Sequence, residues 1–267
     1  MSELPLLRQV CESAERLLTE MKANKYDVSV FTQKVTQTLI ITDALLDIHQ
    51  TMLHGLENQR FYAVDPLARV GLEHAVNLIY ILKDETGQRT NALSRNFIQT
   101  TSDKSKKWLR SAREGGSASE IATAKRKLEY IEEVAEHNQE LIRKGPDWPN
   151  TFERFKACGY ESAYRTIYSM NSDSVHCLSE DMFNAGTVSK YPQELRATVH
   201  NKLASQNASL SIYLFAKTLS FFCIGLREIS ALLRNPECQA EIDKLLLTMA
   251  EILTHHEDEF LGRMLPT

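Results

Sequence analysis

Along residues 4 to 21, Leu4, Leu7, Val10, Cys11, Ala14, Leu17, Leu18 and Met21 recur three or four apart. That is the period of one helix face. Asp27 is placed to cap a second helix running to about Leu56. Asp65-Pro66 reads as the start of a third, with Asp as N-cap and Pro at the first helical position, ending near Lys83. A fourth covers about Asn91 to Arg113, and Gly115-Gly116-Ser117 breaks it. Residues 118 to 144 keep helical period with sparse apolar positions: Ile121, Leu128, Ile131, Val134 and Leu141. Such a helix projects from a bundle or packs through a narrow seam.

Gly145 to Asn150 reads as a rigid linker, and Thr151 as the cap of a short helix ending near Gly159. Another helix is expected from Tyr160 to Met182, then a loop from Asn184 to Pro192. A long helix from Gln193 to Leu233, kinked near 206–209, precedes a last one from Asn235-Pro236 to about Arg263. No stretch alternates at period two for long enough to make a sheet, and no internal repeat is visible. The expectation is an all-α bundle of about eight helices, one domain over residues 1–267.

Composition narrows the function classes. The 267 residues are 43% hydrophobic and 25% charged, with net charge −4 and pI about 6.1. No overall basic field points to nucleic acid, although a local patch stays open. The ten glycines and seven prolines are too few for the turns of an all-β fold. Cys11, Cys158, Cys177, Cys223 and Cys238 are odd in number and lack CxxC spacing, as expected of reduced core thiols in a cytoplasmic protein. The N-terminus lacks a secretory apolar region. Lys217 interrupts the apolar stretch Leu210 to Leu226, which reads as a buried helix rather than a membrane span.

One stripe calls for chemistry. Tyr164, Tyr168, Ser172 and His176 fall at intervals of four. Each step rises about 6 Å and turns about 40° beyond a full circle, so Ser172 and His176 can share a pocket with Tyr168 one turn away. The four groups either satisfy one another and fix helix register or form a functional pocket. In a pocket, His176 suits general acid or base work, because its ordinary pKa lies near neutrality. Ser172 is the weaker candidate nucleophile, lacking an identifiable oxyanion hole. In the third helix Arg69 and Glu73 are also four apart, amid Leu67, Val70, Leu72, Val76 and Leu78. Charges in such a segment need partners, and the polar stripe could supply them.

Arg69-Val-Gly-Leu-Glu73, then Trp148-Pro149, then Gly159, then Tyr164-x3-Tyr168-x3-Ser172-x3-His176 resembles the bacterial domain-of-unknown-function 5677 family over roughly residues 35 to 225. The resemblance implies an all-helical fold and a polar centre built from Arg69, Glu73, Tyr164, Tyr168, Ser172 and His176. It implies no known reaction. A more distant likeness is to the HEPN helical domains, many of them metal-independent ribonucleases of toxin or antiphage systems, often dimeric. Their Arg and His stand on one helix with four to six residues between. Here Arg165 has ten residues before His176 and Arg196 three before His200, so Arg69 would have to serve from another helix.

Two other clusters stand out. Glu251, His255, His256, Glu257, Asp258 and Glu259 read as a solvated helix end rather than a metal site. Lys104, Lys106, Lys107, Arg110 and Arg113, with Lys125, Arg126 and Lys127, could meet RNA phosphates or be balanced by Glu129, Glu132, Glu133 and Glu136.

Two function classes follow. One is a HEPN-like, metal-independent ribonuclease or effector. His176, Arg69, Glu73 and Ser172 would be catalytic and Tyr164 and Tyr168 substrate-binding, with no metal or cofactor and RNA as partner. The other is a non-catalytic helical scaffold or small anionic ligand-binding module whose polar centre is structural. A homodimer or protein contact through residues 118–144 is expected with either, and no membrane.

Overall fold

The structure is a computed structural model that describes residues 3–23, 33–169 and 179–264. The described residues are helical with no strand. They divide into two compact units, the first formed by residues 1–82 and 151–267 and the second by 83–150.

The first unit is built from α1 (Leu4–Ala23), α2 (Gln33–Glu57), α3 (Phe61–Leu82), α7 (Thr151–Cys158), α8 (Glu161–Ala163) with the π turn Tyr164–Tyr168, α9 (Ser179–Val188), α10 (Gln193–Leu232) and α11 (Pro236–Met264). Its core is the second half of α10, where Phe215, Leu219, Phe222 and Leu226 are fully buried. Burying one such side chain is worth about 1.5–3 kcal/mol. This half packs on α3, α11, α2 and α1. By length and composition α10 could cross a membrane, but most of its apolar stretch is buried in the unit. Two glycines let the core helices approach closely. A Cβ on Gly71 would lie 3.3 Å from Ile48 Cγ2, and one on Gly225 only 2.6 Å from Leu78 Cδ2.

The apolar face predicted for α1 is the buried one: Leu7, Val10, Cys11, Ala14, Leu17, Leu18 and Met21. Asp27 lies outside the described residues. The start of α3 differs from expectation. The helix begins at Phe61, and Pro66 sits inside it. Gln59 adopts a left-handed conformation (φ 56°), and Arg60 N–H donates to the Gly55 carbonyl at 2.7 Å, which turns the chain one helical turn early. Val64, fully buried against Gly55, anchors that extra turn. Asp65 accepts a hydrogen bond from Ser211 Oγ at 2.8 Å. The loop expected from Asn184 is helical to Val188, and α10 runs as one helix through 206–209.

The second unit holds α4 (Gln88–Gly115), α5 (Ala118–His137) and α6 (Gln139–Lys144). α4 and α5 form a helical hairpin across Gly116, with Leu109, Ala112 and Ala124 at its seam and Ile121 and Leu128 beside them. Ser117 caps α5, accepting from Glu120 N–H at 3.2 Å. The expected single helix over 118–144 breaks at Asn138, whose side chain donates back to the Val134 carbonyl at 2.8 Å. Backbone competition of this kind by Asn ends helices.

Candidate functional site

The polar centre of the first unit begins with the end of α7. Gly159 takes a left-handed conformation (φ 84°), and Tyr160 N–H donates to the Phe155 carbonyl at 2.8 Å. This is a Schellman-type stop, and glycine meets it without steric cost. The chain turns back through α8 into the π turn, where Ser169 N–H bonds the Tyr164 carbonyl five residues earlier at 2.8 Å. The turn returns both tyrosines to α7. Tyr164 meets Phe152 and Phe155 edge-on (centroids 5.1 and 5.5 Å) and stacks on Tyr168 at 5.2 Å. Tyr168 packs on Phe155 at 5.4 Å.

This aromatic wall faces α3. The Tyr168 hydroxyl donates to Glu73 Oε2 at 2.8 Å. Glu73 Oε1 accepts from Arg154 Nη2 at 2.9 Å and from Thr151 Oγ1 at 3.2 Å. Arg154 also reaches Asn77 Oδ1 through Nε at 2.7 Å and Thr151 Oγ1 through Nη2 at 3.1 Å. Its side chain is 5% exposed, against 30% for Glu73. Burial lowers the Arg154 pKa from its ordinary value, and the Glu73 charge opposes that. An arginine keeps its proton in proteins regardless, so this is a charged pair with one member deep in the fold.

Arg69 lies on the same face of α3, one turn before Glu73, yet the two do not pair. The Arg69 guanidinium carbon stands 4.6 Å from the Tyr168 ring centroid, a cation–π geometry. Its Nη2 makes a long contact to the Tyr168 hydroxyl at 3.4 Å. Tyr168 thus stands between Arg69 and the carboxylate.

Of the residues expected at the site, Arg69, Glu73, Tyr164 and Tyr168 come together. Ser172 and His176 lie outside the described residues. Arg154, Asn77 and Thr151 are members that sequence reading missed. The signal was there. Thr151, Arg154, Phe155 and Cys158 are spaced i, i+3, i+4, i+7, so Arg154 falls on the buried face of α7. No group of three His, Cys, Asp or Glu among the described residues could hold a metal ion. Cys11, Cys158, Cys223 and Cys238 are buried thiols. Burial pushes Cys11 up to about 11 and Cys223 to about 12, which makes neither a nucleophile. Cys177 lies outside the described residues.

No curated protein and no solved structure matches the chain. The profile of a family of unknown function, DUF5677, matches residues 44–189. That span carries Arg69, Glu73, Arg154, Tyr164 and Tyr168, and as it covers more than half of the 267 residues, the chain belongs to the DUF5677 family.

Proposed function

We propose that the chain is a non-catalytic helical scaffold in which the Glu73–Arg154–Tyr168 centre is a structural clasp joining α3, α7 and the π turn. One observation carries this reading: the carboxylate is committed on both oxygens. Arg154 and Thr151 occupy Oε1, and Tyr168 occupies Oε2. A carboxylate so held ties three donors from α7 and the π turn to α3. Arg154 is in turn bound through Nε and Nη2 to Asn77, Thr151 and Glu73, the partnering expected of a buried charge that sets a structure.

A second reading has its own support. Single π turns inside helices are frequent at functional sites, and this one carries Tyr164 and Tyr168 directly ahead of Ser172 and His176 in sequence. That favours a HEPN-like, metal-independent ribonuclease with Arg69 at a phosphate. One experiment separates the two. Purified wild type, Arg69→Ala and Glu73→Gln are incubated with a labelled single-stranded RNA in EDTA, and their thermal melts are recorded. The scaffold reading expects no cleavage by any of them and a lowered melting temperature for Glu73→Gln. Wild-type cleavage in EDTA, lost in an Arg69→Ala protein that melts normally, would overturn it.

A further inference from the structure

We propose that the α4–α5 hairpin, at the end formed by its Gly115-Gly116 turn, binds the phosphate backbone of single-stranded nucleic acid. Residues 103 to 127 hold eight Lys and Arg against three Asp and Glu, a local net charge of +5 in a chain whose total is −4. The hairpin brings these residues together. α4 carries Lys106, Arg110 and Arg113 at i, i+4 and i+7, one stripe along the helix. The return helix brings Lys125, Arg126 and Lys127 back along the same end, since Ala124 packs with Leu109 and Ala112. Of the glutamates that might offset them, Glu129 pairs with Lys125 at 3.4 Å, while Glu132, Glu133 and Glu136 lie further along α5, away from the α4 stripe.

Four of the α4 cations have no such partner among the described residues. Lys106, Lys107, Arg110 and Arg113 are exposed, and none makes an ion pair or hydrogen bond with a described residue. Four arginines elsewhere are used inside the fold: Arg8 with Glu57, Arg16 with Glu20 and Glu241, Arg165 with Glu161, Arg227 with Asp243. Like charges three and four apart on one helix repel and destabilise it. A stripe of them without internal partners fits an external anion.

The aromatic residues choose among anions. Trp108, between Lys107 and Leu109, is 38% exposed, and its indole N–H reaches Glu120 Oε1 at 3.4 Å across the hairpin. Tyr130 is 54% exposed, with Lys127 Nζ 5.4 Å from its ring centroid. Exposed rings beside cations are the parts of a single-strand site, in which unstacked bases lie on aromatic faces. A membrane surface would call for a continuous apolar face of residues such as Trp, Phe and Leu to insert, and Trp108 is the only large hydrophobic side chain exposed between 103 and 127. This inference does not depend on how the Glu73 centre is read.

The test is fluorescence anisotropy of the full chain with a fluorescein-labelled 20-nucleotide oligouridine across a salt series, beside phosphatidylserine vesicles and polyglutamate. The variant Lys106→Gln/Arg110→Gln/Arg113→Gln is compared with Lys190→Gln/Lys202→Gln/Lys244→Gln, which changes net charge equally elsewhere. The first is expected to weaken oligouridine binding by about tenfold or more and to reduce the slope of log K against log salt by about 2, or roughly 0.7 for each lost phosphate contact. The second should shift affinity by less than about twofold. If the first variant melts below wild type, Arg110→Gln alone replaces it, with an expected slope change of about 0.7. The proposal is overturned if oligouridine is not bound at about 50 mM salt, if both triple variants weaken binding alike, or if vesicles or polyglutamate bind as tightly with the same sensitivity to the first variant.

Discussion

Arg154 and Glu73 stand 81 residues apart in sequence and 2.9 Å apart in space, with the guanidinium buried and the carboxylate at its rim. Removing the cation leaves Glu73 Oε1 with Thr151 alone, and Asn77 without its donor. Breaking a buried pair from one side costs about 3–5 kcal/mol, a large share of the roughly 5–15 kcal/mol that holds a native domain together. Arg154→Leu is therefore expected to lower the far-UV circular dichroism melting temperature by roughly 10 °C, at about 2–4 °C per kcal/mol for a chain of this size. A shift below about 2 °C would show that the pair contributes little.

Stability should also fall in mild acid because of a second buried group. His49 is fully buried in α2, its Nδ1–H donates to the Leu45 carbonyl at 2.6 Å, and its ring stacks on Phe222 at 5.1 Å. Burial pulls its pKa down to about 4 from 6.5, opposed only in part by the Leu45 and Thr218 carbonyls. Between these two values the unfolded chain binds the proton and the folded chain does not. The contribution of His49 is thus complete above about pH 6.5 and is lost progressively toward pH 4, by about 3 kcal/mol in all. Urea unfolding at pH 7 and pH 4.5 should show wild type losing more stability than His49→Gln. Equal losses would contradict the assignment.

The two units can be followed separately. Both tryptophans, Trp108 and Trp148, belong to residues 83–150. Ser117→Ala removes the α5 cap and should cost about 0.5–2 kcal/mol. The shift is expected in tryptophan fluorescence. A shift confined to tyrosine signals, most of which come from the first unit, would be the wrong outcome.

Close packing at Gly225 gives a test of the core. A Cβ there would meet Leu78 Cδ2 at 2.6 Å, and Leu78 is fully buried. Gly225→Ala should destabilise by about 1–3 kcal/mol through overpacking. Adding Leu78→Ala to it should cost less than the two single changes summed. Strict additivity would mean that the helices simply move apart.

Local pattern made much of this legible. The buried face of α1 could be read from period, and the stop at Gly159 and the break at Gly115-Gly116-Ser117 from their residue types. The early start of α3 could not, because Val64 packing on Gly55 outweighs the Asp65-Pro66 signal. At the site, sequence placed Arg69 and Glu73 on one face and looked to the polar stripe for their partners, which Tyr168 supplies, but it did not find the charge that pairs with Glu73. That charge arrives from α7, and no periodicity reports a contact made across 81 residues. The Tyr168 hydroxyl takes Oε2 of that carboxylate and Arg154 takes Oε1.

The clasp is tested most directly by a double-mutant cycle on Glu73→Gln and Arg154→Met, read by urea unfolding of the two single variants, the double variant and wild type. A mutually satisfied buried pair predicts two costly single changes and a double change well below their sum, with a coupling of about 1–3 kcal/mol. Additive losses, with each single variant within about 0.5 kcal/mol of wild type, would contradict a structural clasp at Glu73 and Arg154.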